Sequence, residues 1–206
     1  MKPIAWVLLF LMLPSIHFSC SRKPSGKLPV LSKFEVIEGD TVYQKIASFK
    51  FLTQDSVYFS SEKLQGKPHV AYFFFTSCPG ICPVLTSQMK RLQDMTADIK
   101  SRYQIVGFTV DPDRDTPFKL REYARHYRVD LSHWTFLTGK ESELHHVGNR
   151  SYYVAMQRDS TEPGGFLHSG RFILVDKDGL IRGYYDGTNA NDVDRLKKDL
   201  YLLLEE

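Results

Sequence analysis

The sequence has few cysteines, no long hydrophobic run and little net charge. Its apolar run near the N-terminus, residues 4–13, is ten residues long, whereas a membrane-spanning helix needs about 20. The formal charge is only +3, and residues 1–33 hold five cations and no acid, so the rest of the chain carries −2. These features disfavour a lone spanning helix and a nucleic-acid-binding surface. Two of the three cysteines, Cys78 and Cys82, are separated by only three residues.

The first 20 residues have the pattern of an export signal. Lys2 precedes the apolar run, and a short segment then ends at the third cysteine, Cys20. This pattern resembles a bacterial lipoprotein signal, in which the thiol is lipidated and becomes the first mature residue. The alternative is an ordinary secretory signal cleaved near Ser19. We predict a signal peptide at 1–19, a flexible polar tether at 20–33 and one domain at 34–206, anchored in a bacterial cell envelope outside the cytoplasm.

Strand and helix patterns alternate through the predicted domain. Short strands are predicted between residues 34 and 61, including one at 41–49. The uninterrupted apolar segments 69–76 and 103–110 predict strands that are buried on both faces. Helices follow each of them, the second with Asp115 as its N-cap, and 170–187 predicts a hairpin. This order predicts an α/β fold of thioredoxin-like layout, with a central mixed sheet flanked by helices and an N-terminal β extension.

Cys78 and Cys82 fall where a central strand turns into a helix. A helix N-terminus favours thiolate over thiol, so we expect depressed cysteine pKa values and a partly ionised pair. Such a pair can close a structural disulfide, exchange disulfides with a partner, or bind a soft or borderline metal ion. The residues alone leave these three roles open.

Three ordered blocks resemble a known family. They are GKPHVAYFFFTSCPGICP at 66–83, FTVDPDRDTP at 108–117 and FLHSGRFILVDKDG at 166–179. Together they resemble the Sco (SenC) family, whose members are copper-binding proteins with a thioredoxin fold that help to assemble the copper centre of cytochrome c oxidase. The spacing is kept from about residue 49 to about residue 185.

The resemblance implies a set of copper ligands. Cys78 and Cys82 would be the thiolates and His168 the imidazole, a soft set that suits Cu(I) and that holds Cu(II) if a fourth ligand joins. Asp113 is predicted to lie beyond the ligands or to face the partner. The function implied is that of a metallochaperone rather than an enzyme, which passes copper by ligand exchange to an oxidase subunit or another copper-accepting protein. The alternative is a thiol–disulfide oxidoreductase that acts through the same cysteine pair.

Overall fold

The structure, a computed structural model, describes residues 26–162, 164–167 and 169–206. Within these ranges the strands are β1 (Phe34–Ile37), β2 (Asp40–Tyr43), β3 (Lys50–Thr53), β4 (Tyr58–Ser60), β5 (His69–Phe74), β6 (Gln104–Thr109), β7 (Trp134–Thr138), β8 (Gln157–Arg158), β9 (Phe166–Leu167), β10 (Arg171–Val175) and β11 (Ile181–Asp186). The α-helices are α1 (Cys82–Met95), α2 (Pro117–His126), α3 (Glu141–His146) and α4 (Ala190–Leu204). Short 3₁₀ turns follow β4 and α1, and a π-helical turn, Val147–Ser151, follows α3.

Seven of these strands form one mixed sheet, in the order β11-β10-β5-β6-β7-β3-β4. Strands β5, β6 and β7 run parallel, because a helix connects each to the next. Strand β10 is antiparallel to both β5 and β11, and the turn that joins β10 to β11 holds Gly179 at a φ of +84°. The predicted α/β fold with its mixed central sheet is confirmed.

The centre of the sheet is buried on both faces, as the apolar runs predicted. Every residue of β5 is buried. On one face Phe73 stacks on Phe108 of β6, with ring centroids 5.1 Å apart. On the other face Tyr72 packs edge-on against Trp134. Helices α1 and α4 lie against each other and bury their apolar stripes, which include Leu85 and Met89 in α1 and Leu196 and Leu200 in α4.

Two local predictions differ from the structure, and one feature was not predicted. Of the strand predicted at 41–49, only the part up to Tyr43 is a strand, β2, and β3 begins after it at Lys50. The β8–β9 hairpin was not predicted. Asp115 does not cap α2, because its side chain is turned into the interior. The cap is Thr116, whose hydroxyl accepts a hydrogen bond of 3.4 Å from the Lys119 backbone N–H.

The end of the predicted tether is bound to the domain. The Leu28 N–H donates to a Glu206 carboxylate oxygen at 2.7 Å. Leu31 and Ser32 are hydrogen-bonded to Ile181 at the start of β11, at 2.7 and 2.9 Å. Residues 28–32 therefore belong with the folded unit. Among the described residues, no helix combines the length and hydrophobicity needed to cross a membrane.

Candidate metal centre

The two cysteines lie in the loop and first helical turn that follow β5. The loop is folded back by a 3.3 Å hydrogen bond from the Cys78 N–H to the Phe75 carbonyl. The Cys78 sulfur accepts a hydrogen bond of 3.4 Å from the Gly80 N–H. Cys82 opens α1, and Pro83 follows it at a position where a missing backbone N–H costs nothing. Both side chains are buried, with 7% and 1% of their surface exposed.

The Cys82 thiol is held in its protonated form. A hydrogen bond with the Cys78 side chain and burial raise the pKa of Cys82 well above its usual range, and the nearby Asp115 carboxylate adds to the shift. The depressed pKa expected from the helix N-terminus was wrong for this residue. The helix dipole stabilises a charge at the helix N-terminus by about 1 kcal/mol. The cost of desolvating a buried thiolate is larger, so the thiol form is favoured.

Asp115 is the residue of this region that sequence reasoning placed incorrectly. It is fully buried and joins two strand ends, because its carboxylate accepts from the Thr76 N–H at 3.1 Å, the Thr76 hydroxyl at 2.5 Å and the Thr109 hydroxyl at 2.5 Å. Burial raises the pKa of Asp115, although the threonine hydrogen bonds oppose the shift. Because Thr76 lies two residues before Cys78, Asp115 fixes the start of the cysteine loop. In the sequence, the sign that Asp115 belongs to the site was its place in the block FTVDPDRDTP at 108–117, which resembles the family.

The other predicted site residues are not gathered at the cysteines within the described ranges. The Asp113 side chain is 72% exposed and pairs with Arg158 at 2.6 Å. His168 and Cys20 lie outside the described residues. Among residues that the structure does describe, no three His, Cys, Asp or Glu side chains form a metal-binding group. The structure thus brings Cys78 and Cys82 together and leaves the third ligand untested.

Residues on both sides of position 168 nevertheless pack on the cysteine loop. The Phe166 ring lies 5.6 Å from the Phe75 ring, centroid to centroid. Gly164 has a φ of +88°, and a Cβ there would lie 2.7 Å from Phe75 and 3.2 Å from Pro79. A Cβ on Gly170 would lie 3.4 Å from the Ile81 side chain. The segment therefore touches the loop before Cys78 and again just before Cys82.

Two arginines hold this segment in place. The Phe166 ring lies 5.9 Å from the Arg114 guanidinium and 5.1 Å from that of Arg158. Arg114 also donates to the Gly164 carbonyl at 2.9 Å. Arg158 donates to a Glu141 carboxylate oxygen at 2.8 Å, in addition to its pair with Asp113. These contacts join β9 to the loop after β6 and to α3.

The two sulfur atoms can take part in two kinds of reaction, metal binding and disulfide formation. Neighbouring buried thiols that share a hydrogen bond can lose protons to bind a thiophilic metal ion, or lose two electrons and two protons to form a disulfide. Both reactions remove the buried thiol proton of Cys82, so both become easier as the pH rises.

Comparison with known proteins identifies the family. The sequence profile of the family described as SCO1/SenC matches residues 38–203. A relative from Stutzerimonas stutzeri, provisionally named a copper-binding protein, is 35% identical over 141 residues, which cover 68% of each chain. A SCO1/SenC family lipoprotein from Bacillus anthracis has a similar structure, with a TM-score of 0.72 and 30% identity over 77% of this chain and 94% of the other.

A further solved structure resembles the chain to nearly the same degree. It is BsSco, described as a member of the Sco family of cytochrome c oxidase assembly proteins and as having a disulfide switch. Its TM-score is 0.66, and it is 31% identical over 76% of this chain and 92% of its own. The match to the family profile spans most of the chain and includes both cysteines of the loop after β5. The chain therefore belongs to the SCO1/SenC family.

Proposed function

We propose that this protein is a metallochaperone that binds one copper ion through Cys78, Cys82 and His168. The observation that carries the proposal is the contact of Phe166 and Gly170, which flank position 168 in the sequence, with the two ends of the cysteine loop. We infer that the His168 imidazole, which lies between these two residues in the sequence, completes the thiol pair. The copper-binding name of the Stutzerimonas stutzeri relative agrees with this cargo.

The donor set accounts for both copper valences. Two thiolates suffice for Cu(I), whereas Cu(II) needs the imidazole and a further ligand. Copper must displace the Cys82 proton, because that thiol is protonated in the metal-free protein. Transfer then proceeds by ligand exchange, in which ligands of the acceptor replace His168 and the two thiolates in turn. No free copper ion is released at any stage.

We infer that the acceptor is the copper-bearing subunit of a respiratory cytochrome c oxidase, since BsSco belongs to a family of oxidase assembly proteins. The chain would work from a lipid anchor on Cys20, as the lipoprotein pattern predicts, and the Bacillus anthracis relative is named a lipoprotein. Because residues 28–32 are bound to the domain, the tether of the anchored form would consist of residues 20–27. Asp113, which is exposed in the loop after β6, would face the acceptor.

Copper titration tests the ligand set. The reduced chain that begins at residue 21 is titrated with Cu(I) against a competing chelator and, separately, with Cu(II), beside the variants His168→Ala and His146→Ala. We expect one copper per chain and a Cu(II)–thiolate absorption band that disappears in His168→Ala only. His146 is the matched control because it is an exposed histidine of α3.

The same titration separates this function from thiol–disulfide exchange. If no copper stays bound while Cys78 and Cys82 oxidise and exchange with a disulfide substrate, the metallochaperone proposal is wrong and the oxidoreductase takes its place. A Cu(II) band that survives in His168→Ala would remove His168 from the ligand set while leaving the two thiolates.

A further inference from the structure

The β1–β2 hairpin presents an uncharged face that none of the residues described by the structure buries. Every residue of both strands is exposed. In the register of the pair, Phe34 lies opposite Tyr43 and Val36 opposite Thr41, so these four side chains share one face. We call them the apolar hairpin face. Phe34 and Val36 are 60% and 66% exposed, and the Phe34 and Tyr43 rings meet edge-on at 5.8 Å.

The opposite face of the hairpin is different in character. It pairs Glu35 with Val42 and Ile37 with Asp40, so it carries both carboxylates of the two strands. A two-stranded hairpin with no covering layer is at best marginally stable in water. An amphipathic hairpin of this kind is more stable where its uncharged face meets an apolar phase and its acidic face stays in water.

The position of the hairpin in the chain indicates which apolar phase is available. Residues 28–32 are fixed to the domain immediately before β1. Leu28 lies only eight positions after Cys20, and this stretch spans at most about 28 Å when fully extended. The segment from Arg22 to Lys33 holds Arg22, Lys23, Lys27 and Lys33 and no acid, which suits the surface of an anionic bilayer.

We propose that the apolar hairpin face docks on the lipid surface of the membrane that anchors the protein. The proposal rests on the lipid anchor of the proposed function. It adds a second, weaker contact, in which Phe34 and Tyr43 enter the interface where aromatic rings are favoured.

Docking through this face sets the orientation of the copper site. The hairpin is held at its base by a 2.9 Å hydrogen bond from the Ile46 N–H to the Gly179 carbonyl, in the turn between β10 and β11. That turn adjoins the His69 end of β5, because Val175 pairs with His69. Cys78 follows the opposite end of β5, about 20 Å away. The cysteines are therefore presented on the side of the domain that faces away from the bilayer.

Lipid quenching of introduced tryptophans tests the docking. The full chain is expressed in a bacterium, purified after processing and reconstituted in phosphatidylethanolamine–phosphatidylglycerol vesicles that contain brominated lipid. Phe34→Trp reports on the hairpin, and Val57→Trp, also exposed but beside β4, is the matched control. We expect a blue-shifted Phe34→Trp emission quenched by about half or more, since an interfacial residue lies about 5–10 Å deep. Val57→Trp emission should be unchanged.

The outcomes distinguish a failure of the lipid anchor from a failure of the hairpin docking. Flotation with vesicles but equal quenching of both tryptophans would overturn the docking while leaving the anchor intact. Failure to float would overturn the anchor and, with it, the docking. A blue shift of Phe34→Trp that depends on protein concentration and occurs without lipid would show that a second copy covers the face instead.

Discussion

Asp115 provides a quantitative test of how the cysteine loop is held. Replacing it by alanine leaves the Thr76 N–H and the hydroxyls of Thr76 and Thr109 without their carboxylate acceptor. Each unsatisfied buried group costs about 1–3 kcal/mol, and since hydroxyls can rotate toward other acceptors, we expect Asp115→Ala to lower the free energy of unfolding by about 3–5 kcal/mol. Asp115→Asn keeps the shape and one acceptor oxygen, so its expected cost is about 1–3 kcal/mol.

The assay is urea unfolding of the reduced chain from residue 21, followed by the fluorescence of the buried Trp134. Asp113→Ala is the matched control, because it removes a carboxylate two residues away that is exposed and pairs with the exposed Arg158. That change should cost no more than about 1 kcal/mol. If Asp115→Ala destabilises the protein no more than Asp113→Ala does, the carboxylate does not hold the loop and the reasoning fails.

Three further predictions concern the site and the core. Gly164→Ala should destabilise the protein more than Gly165→Ala in the same unfolding assay, because both have φ near +90° but only Gly164 lies against Phe75, while Gly165 has open space. Copper affinity, measured with a competing chelator, should rise at least about tenfold per pH unit around neutrality, because binding releases the Cys82 proton whose pKa is raised. Burial lowers the pKa of His69 from 6.5 to about 3. The free energy of unfolding should therefore fall as the pH drops below about 6.5, and His69 should contribute about 1.4 kcal/mol per pH unit to this loss. His69→Gln should remove that contribution.

Each of these predictions has an outcome that contradicts it. Equal destabilisation by the two glycine variants would mean that the backbone conformation, rather than contact with Phe75, requires glycine at 164. A copper affinity that is independent of pH would mean that Cys82 is already a thiolate. An unchanged slope of stability against pH in His69→Gln would mean that His69 is protonated in the folded protein.

The central sheet was predictable because its strands are apolar without interruption. Strand β5 has to be buried on both faces, and parallel neighbours joined by helices bury it in that way. The cysteines were predictable at its end for the same reason, because the polar turn after the apolar run marks where the strand stops. The hairpin of β10 and β11 followed from Gly179, which adopts the positive φ that the turn requires.

The features that were missed are decided by tertiary contacts. Strands β8 and β9 have two residues each, too few for any periodicity. Phe166 is fixed by its strand partner Arg158 and by Arg114 from a distant part of the chain. Asp115 precedes Thr116-Pro117 and has the local pattern of a cap, yet hydrogen bonds to Thr109 and to the distant Thr76 hold its side chain in the interior. The pKa of Cys82 depends on burial and on the distance to Cys78, neither of which a helix-start pattern contains.

The attachments of the three proposed ligands suggest an order for copper release. Cys78 and Cys82 are buried, Cys78 in the short loop after β5 and Cys82 at the start of α1, so moving either sulfur disturbs the core. Phe166 and Gly164, which precede position 168, are held by Arg114 and Arg158, whose side chains are both about half exposed, and ion pairs of such exposed side chains contribute at most about 1 kcal/mol each. We therefore infer that His168, the proposed third ligand, separates at lower cost than either sulfur. An acceptor would displace the imidazole first, which leaves a two-thiolate site suited to Cu(I), and only then compete for the sulfurs.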